Sequence, residues 1–287
     1  STIQLARPFL TKSQIKHAQE RTIESSTVYE QRRNQIFNFL MKICVSLKFP
    51  TKTLETAMIY YQRYFLFNKF DIAIYYDIAI TSIFIASKNE DTIKKLRDIL
   101  LVSNQIRNTF LNQDQLELYR KKILSLEFKL LETISFDFRL FHVEDFLIKI
   151  SKSLKIPKDI GYLAWLIAYD SYQTEIALKV PPQTIAIACI SLATKLKDFE
   201  TTIRSEFYYT SDNSVNEALL DLLGLYINSY NYTGLASIYP DFQNKFVEIR
   251  IPLSDAQGLK EQTADLIKED DYFKDRDFSI GERRYML

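Results

Sequence analysis

The most apolar stretch of the chain runs from Asp77 to Lys88 and predicts a helix that is hydrophobic on nearly all sides. Its apolar positions include Ile78, Ala79, Ile80, Ile83, Ile85 and Ala86. A helix without a polar face is stable in water only when other elements surround it. We therefore expect this segment to be the central helix of a helical bundle.

The same pattern occurs a second time, 107 positions further along the chain. Residues 39–88 align without a gap on residues 146–195, and eight of the twelve positions in 39–50 are identical to those in 146–157. A self-match at a fixed period indicates a duplicated structural unit. We expect two units of one fold, which suits a chain of 287 residues.

Apolar residues recur every three or four positions in further segments of both units, a spacing typical of amphipathic helices. The predicted helices are 34–45, 51–64, 77–88, 91–101 and 113–134 in the first unit, and 144–154, 159–172, 183–195 and 216–228 in the second. The chain has only five glycines and seven prolines, which favours long helices over a β fold. The expected fold is all-α, with two tandem five-helix units.

These patterns divide the chain into four parts. The predicted parts are an N-terminal helical arm (1–33), the first unit (34–140), the second unit (141–232) and a C-terminal extension (233–287). In the arm, Thr11 or Ser13 could cap a polar helix that leads toward Glu30. The arm is expected to lie on the first unit or to contact a partner, and both alternatives stay open. The extension from Asp241 onward is expected to be a peripheral tail.

Composition restricts the classes of function. The formal net charge is +1, from 37 basic and 36 acidic residues, so no overall field attracts nucleic acid or an anionic membrane, although a local basic patch remains open. Cys44 and Cys189 lie in apolar helical segments and are expected to be buried reduced thiols of an intracellular protein. We expect no signal peptide and no membrane partner, because charges interrupt every apolar run before about 18 residues.

The sequence shows no catalytic motif. Its two histidines, His17 and His142, lie in different segments and have no metal-ligand spacing. The five glycines are isolated, so neither a P-loop nor a dinucleotide-binding loop is present. We expect no catalytic residues, no cofactor and no metal site, and therefore a protein that is not an enzyme.

Glu127 lies within the apolar stripe of the predicted helix 113–134. A carboxylate on a core-facing stripe needs a cation or hydrogen-bond donors, and Lys88 is the candidate neighbour. In the second unit Lys195 matches Lys88, whereas Leu223 takes the place of Glu127. A pair kept in one copy suggests that the first unit has a function of its own. The alternative, that Lys88 only complements a helix C-terminus and Glu127 only borders the stripe, stays open.

These residues resemble the cyclin box. Segment 85–91 is similar to the end of the family's central helix, and Leu126-Glu127 followed by 134–137 is similar to its fifth helix. The resemblance covers about 34–232 and implies two tandem five-helix cyclin-box folds. Residues 178–182 resemble the transcriptional cyclins of the T and K type. Segments that resemble the cyclin subunits of fungal kinases acting on the C-terminal repeats of RNA polymerase II are 7–10, 47–57, 167–170, 214–218 and 282–285.

The resemblance implies a non-catalytic subunit that activates a cyclin-dependent kinase in the nucleus. The resemblance implies that Lys88 and Glu127 bind the kinase, and we expect Glu90, Asp91, Phe70 and Ile72 to be further kinase-binding residues. The implied partners are the kinase catalytic subunit, a third small regulatory subunit and, indirectly, RNA polymerase II, whose C-terminal repeats the kinase phosphorylates. We expect no strong direct binding to nucleic acid.

The chain departs from the family pattern at two positions. Where cell-cycle cyclins carry a hydrophobic docking patch, this chain has residues 32–36, Arg-Arg-Asn-Gln-Ile, and the second acid after Lys88 is Asp91 in place of glutamate. We therefore do not expect docking of short cyclin-binding motifs at 32–36.

Two other functions stay open. A twin-cyclin-fold transcription factor could bind promoter DNA, although the near-zero net charge and the lack of a CxxC ribbon count against it. A plain helical scaffold is the other.

Overall fold

The computed structural model of the protein describes residues 9–253. The helices of the first half are α1 (Lys12–Thr22), α2 (Ser26–Leu47), α3 (Thr51–Phe67), α4 (Tyr75–Asn89), α5 (Leu96–Ile106) and α6 (Gln113–Thr133). Those of the second half are α7 (Val143–Ser153), α8 (Lys158–Ser171), α9 (Ile176–Lys179), α10 (Pro182–Leu196), α11 (Asp212–Ser229) and α12 (Gly234–Ile238). Short 3-10 helices span Ser205–Tyr208, Tyr230–Tyr232 and Pro240–Phe242, and residues 243–253 are helical. No strand occurs within residues 9–253, which confirms the predicted all-α class.

The described residues form two compact units. The first contains residues 14–140, and the second contains residues 9–13 together with 141–253. The N-terminal arm is therefore divided between the units instead of lying only on the first. Its first residues are fixed to the second unit, where the Leu10 N–H donates to the Leu178 carbonyl at 2.7 Å.

Helix α4 is the centre of the first unit, as its apolar sequence predicts. Ile78, Ile80 and Ile83 are fully buried, and α2, α3, α5 and α6 pack around the helix. Complete burial of an isoleucine side chain stabilises a fold by about 1.5–3 kcal/mol. Segment 77–88 therefore anchors the other helices of this unit.

Helix α10 has the same role in the second unit, where α7, α8 and α11 pack against it. Pro182 occupies its first turn, a position where a missing N–H costs nothing. The duplication continues beyond the two helices. Asp91 after α4 and Asp198 after α10 are 107 positions apart and both adopt left-handed backbone conformations, with φ of 52° and 51°. The two copies thus share the turn that ends their central helix.

Two helix starts differ from the predictions. Helix α2 begins at Ser26, eight residues before the predicted 34, because Ser25 caps it and accepts a hydrogen bond from the Val28 N–H at 3.4 Å. The polar helix toward Glu30 is accordingly two helices, α1 and α2. Helix α5 spans Leu96–Ile106 instead of 91–101, because the left-handed turn at Asp91 prevents a helix from starting there.

The described part of the C-terminal extension is not a peripheral tail. Phe246 is fully buried and its ring stacks on Tyr226, with the ring centroids 4.7 Å apart. Lys245 Nζ donates to Asp198 Oδ2 at 2.8 Å and to the Leu196 carbonyl at 3.1 Å, so this segment covers the end of α10. Two isolated apolar anchors, Leu235 and Phe246, are too sparse to produce a periodic signal. Residues 254–287, including the family-like 282–285, lie outside the described residues, as do Arg7 and Pro8.

Two charged groups are buried in the second unit. The Asp170 carboxylate accepts hydrogen bonds from the N–H groups of Gly234 at 2.8 Å and Leu235 at 3.1 Å, and so ties α12 to α8. Burial raises the pKa of Asp170 to about 6, although these hydrogen bonds act in the opposite direction. The Lys179 ammonium forms an ion pair with Asp221 of α11 and lies 3.8 Å from Glu217.

The expected state of the two cysteines is confirmed. Cys44 and Cys189 are buried free thiols, and burial raises the pKa of Cys44 to about 12. Within residues 9–253, no helix combines the length and the apolar character needed to span a membrane.

Candidate protein-binding surface of the first unit

Lys88 and Glu127 form an ion pair that bridges α4 and α6. Lys88 Nζ donates to Glu127 Oε1 at 2.7 Å, and it also lies 4.0 Å from the ring centroid of Phe84. Lys88 occupies the last turn of α4, where a cation complements the helix C-terminus. Helix α6 is fixed at its start by a capping box between Asn112 and Gln115. The predicted pairing of the two side chains is therefore present.

This ion pair lies at the protein surface. The side chain of Lys88 is 45% exposed and that of Glu127 is 16% exposed. Exposed ion pairs contribute only about 0–1 kcal/mol to stability. An ammonium has three donors, and Glu127 accepts from one of them. Because its side chain is almost half exposed, Lys88 is accessible to an acceptor on another molecule.

Glu90 and Asp91 lie beside Lys88 at the same end of α4. Glu90 Oε1 accepts from Thr56 Oγ1 at 2.7 Å and from Asn89 Nδ2 at 3.2 Å, so it ties this end of α4 to α3. Asp91 is exposed in the left-handed turn that ends α4, a conformation that aspartate tolerates better than most residues. Four of the six predicted residues are therefore together, with Glu90 shaping the turn.

Phe70 and Ile72 lie at the opposite end of α4, about 20 Å from Lys88 at 1.5 Å of rise per helical residue. The Phe70 ring packs edge-on against Tyr29 and Phe65, with centroid distances of 5.2 and 5.0 Å. Its N–H donates to the Thr22 carbonyl at 2.7 Å, which fixes the end of α1. Ile72 is 57% exposed. The structure therefore separates these two residues from the other four, and the contacts of Phe70 are with its own unit.

Exposed aromatic side chains follow α6, the helix that carries Glu127. Phe136 is 54% exposed and Phe138 is 41% exposed. The Phe136 N–H donates to the Leu131 carbonyl at 3.0 Å, which folds this segment back onto the last turn of α6. Leu131 is one helical turn from Glu127. We use the term Lys88 surface for the set Lys88, Glu90, Asp91, Glu127, Phe136 and Phe138.

Asp137 and Arg139 hold the aromatic segment in place. Asp137 accepts from Arg139 Nε at 2.9 Å and from Arg139 Nη2 at 3.1 Å. Burial opposes ionisation of Asp137, but these hydrogen bonds and the charge of Arg139 outweigh it and lower the pKa of Asp137. Residues 134–137 resemble the family's fifth helix, but this resemblance assigns Phe136 to no site. The position of Phe136, directly after the apolar stripe that contains Glu127, was the feature of the sequence that could have indicated its place at this surface.

The second unit lacks the ion pair, as predicted. Leu223, at the position of Glu127, is fully buried. Lys195 is exposed and forms no ion pair within residues 9–253. The ion pair of Lys88 and Glu127 therefore distinguishes the first unit from the second.

The histidines have structural contacts. His142 is buried directly before α7, and His17 Nδ1 lies 3.6 Å from Glu20 Oε2. In the part of the chain that the structure describes, no three His, Cys, Asp or Glu side chains are grouped as metal ligands would be.

Relatives of the chain identify its family. Residues 6–139 match the family model described as cyclin, N-terminal domain. The chain is 37% identical to CTD kinase subunit beta of Saccharomyces cerevisiae over 299 aligned residues, which cover 100% of this chain and 93% of the relative. The chain belongs to the cyclin family. This cyclin is also 30% identical to CTD kinase subunit beta of Schizosaccharomyces pombe, with 83% of this chain and 72% of the relative covered.

A solved structure agrees with the predicted architecture of this cyclin. In the crystal structure of the yeast RNA Pol II CTD kinase CTDK-1 complex, one chain matches with a TM-score of 0.82 and 35% identity, covering 99% of this cyclin and 95% of that chain. The first cyclin box consists of α2–α6. The second consists of α7, α8, α10 and α11 with the 3-10 helix Ser205–Tyr208 at the place of the fourth helix. The predicted tandem cyclin fold is confirmed.

Proposed function

We propose that this cyclin is the non-catalytic activating subunit of a nuclear kinase complex that phosphorylates the C-terminal domain of RNA polymerase II. Its direct partner is a cyclin-dependent kinase catalytic subunit, and a third small subunit completes the complex. RNA polymerase II is contacted through the kinase. Similarity along the whole chain to CTD kinase subunit beta supports this choice of kinase.

The observation that carries the proposal is the exposed ion pair of Lys88 and Glu127. A pair that only stabilised the bundle would serve equally well in both copies, yet the second box has a buried leucine at the position of the acid. Lys88 offers donors, Glu127 fixes its position, and Phe136 offers apolar area in the turn after the helix that carries Glu127. Aromatic side chains are enriched at protein interfaces, and complementary charges across an interface fix its register.

The cyclin acts on the kinase through conformation. Contacts at the Lys88 surface hold the kinase C-helix inward, so that the lysine–glutamate ion pair that positions ATP phosphates forms. The cyclin supplies no reacting group. A surface that prefers the active kinase conformation by about 2.7 kcal/mol increases the ratio of active to inactive kinase about a hundredfold.

The test is a kinase assay on this cyclin co-expressed with its catalytic subunit. Lys88→Glu and Glu127→Ala should each reduce phosphorylation of a peptide with RNA polymerase II C-terminal repeats by at least tenfold. Losing one partner of an interfacial charge pair typically costs about 2–5 kcal/mol. The matched control is Lys195→Glu, the same substitution at the equivalent position of the second box, and it should retain full activity.

The results distinguish a loss of kinase contact at the Lys88 surface from a loss of folding. If both variants fold, bind the kinase and activate it like the unmodified cyclin, the Lys88 surface is not the kinase-binding surface. If Lys195→Glu loses as much activity as Lys88→Glu, the first box has no special role.

A further inference from the structure

A basic segment lies at one end of the second box. Residues 149–158 contain four lysines and no acidic residue, in a chain whose net charge is +1. Lys149 and Lys152 are on α7, Lys155 lies in the following turn with φ of 52°, and Lys158 begins α8. All four are exposed, and none forms an ion pair within residues 9–253. Residues 149–158 therefore form a local positive segment, with Asp159 directly after it and Glu206 in the 3-10 helix Ser205–Tyr208.

Comparison of the two boxes shows that half of this charge is specific to the second. Lys42 and Lys48 of the first box match Lys149 and Lys155. The other two lysines, Lys152 and Lys158, take the places of Val45 and Thr51. The next matched pair has the opposite sense, with Lys52 in the first box and Asp159 in the second.

Exposed aromatic residues lie beside the lysines. Tyr208 Oη is 3.5 Å from Ser153 Oγ, which places the 3-10 helix Ser205–Tyr208 next to the end of α7. Its neighbours Phe207 and Tyr209 are 70% and 86% exposed, and Arg204 lies 5.7 Å from the Phe207 ring centroid. We call Lys149, Lys152, Lys155, Lys158, Phe207 and Tyr209 the Lys149 patch.

We propose that the Lys149 patch binds single-stranded RNA. Recognition of a single strand combines two features, a row of cations that contacts the phosphate backbone and aromatic rings on which unpaired bases stack. Sites for phosphorylated peptides instead rely on clusters of arginines with bidentate geometry, whereas the four cations of the patch are lysines and Arg204 is a single arginine beside it. The choice of RNA over single-stranded DNA rests on the proposed function, because an RNA polymerase produces single-stranded RNA.

The experiment measures binding of the full-length cyclin, without kinase, to a fluorescein-labelled oligouridylate of about 12 nucleotides by fluorescence anisotropy. Each phosphate that a lysine neutralises on a single strand contributes about −0.7 to the slope of log affinity against log salt concentration. Four contacts predict a slope of about −2.8, a loss of roughly 50-fold between about 50 and 200 mM KCl. Combined Lys→Gln substitution at 149, 152, 155 and 158 should abolish that slope.

Two further variants distinguish RNA binding at the Lys149 patch from non-specific attraction to exposed lysines. Phe207→Ala with Tyr209→Ala should weaken binding by at least about 30-fold with the salt slope unchanged, because stacking is not ionic. Lys42→Gln with Lys48→Gln removes the matched lysines of the first box and should leave binding within twofold. Thermal unfolding by circular dichroism verifies that each variant is folded.

Four results would overturn the proposal. The first is no binding to the RNA at about 50 mM KCl, and the second is a loss of RNA affinity in the Lys42 and Lys48 control that equals the loss in the variant of the patch lysines. The third is an oligodeoxyuridylate that binds more tightly than the RNA. The fourth is a multiply phosphorylated peptide that binds more tightly than the RNA and whose affinity does not change when Tyr209 is replaced. Kinase activation is measured separately on the complex. RNA binding can therefore fail while activation persists, and the reverse result is equally distinguishable.

Discussion

Phe136 offers a quantitative test of the Lys88 surface. Its side chain is 54% exposed, and an aromatic side chain presents about 200 Å² in total. About 110 Å² is therefore available to a partner, and at roughly 25 cal/mol per Å² its burial stabilises a complex by about 2.7 kcal/mol. Phe136→Ala should therefore increase the dissociation constant of the kinase about a hundredfold.

The same substitution has a smaller effect on the isolated cyclin. The covered part of the ring accounts for about 90 Å², so the free energy of unfolding should fall by no more than about 2 kcal/mol. Isothermal titration calorimetry with the purified kinase subunit, well below the unfolding temperature, measures the affinity. Urea unfolding measures the stability of each variant.

Two matched variants control for the loss of an aromatic ring and for destabilisation. Phe110→Ala removes a side chain that is 97% exposed before α6, far from Glu127, and should leave the kinase affinity unchanged. Ile150→Val reduces packing in the second box by about 0.5–1.5 kcal/mol and should also retain the affinity. The reasoning is refuted if Phe136→Ala binds the kinase within threefold of the unmodified cyclin, or if Ile150→Val loses as much affinity.

Two further predictions concern the buried charges of the second box. The folded pKa of Asp170, about 6, lies above its ordinary value of 3.8, so its stabilising contribution is complete below about pH 4 and is lost as the pH rises through 6. In the unmodified cyclin, the titration of Asp170 lowers the free energy of unfolding by about 1 kcal/mol between about pH 5 and 7. This decrease should be absent in Asp170→Asn when urea unfolding is measured at both pH values. If the two proteins show the same pH dependence, Asp170 does not have the raised pKa. Lys179→Met removes the cation between Glu217 and Asp221 and should lower the free energy of unfolding, measured with urea, by about 3–5 kcal/mol. Lys195→Met, at an exposed lysine, should lower it by less than about 0.5 kcal/mol. Equal decreases in the two variants would show that the buried ion pair does not stabilise the second box.

The central helices were predictable because their signal is local and repeated. A run without a polar face must be buried, and the second copy confirms the first, so α4 and α10 follow closely from segments 77–88 and 183–195. Glu127 was predictable for the opposite reason. A carboxylate within an apolar stripe is an inconsistency of pattern, and pairing with Lys88 resolves it.

The remaining features depend on contacts that a periodic pattern does not contain. Phe246 is one apolar residue in a charged segment, and its burial depends on Tyr226, which is distant in the sequence. Phe70 was expected at the kinase-binding surface, yet its ring packs against Tyr29 inside the unit. The exposure of Phe136 results from the turn after α6, in which the backbone reverses direction. Sequence resemblance thus identified residue types, whereas the structure was needed to separate surface residues from packing residues.

A charge swap tests most directly whether Lys88 and Glu127 contact the kinase. Lys88→Glu combined with Glu127→Lys rebuilds an ion pair of opposite orientation, so the double variant should recover the melting temperature that Lys88→Glu alone reduces. If the pair contacts the kinase, the affinity of the double variant for the catalytic subunit should remain at least tenfold below that of the unmodified cyclin. If the affinity recovers together with the melting temperature, the pair only stabilises the first box and the account is contradicted.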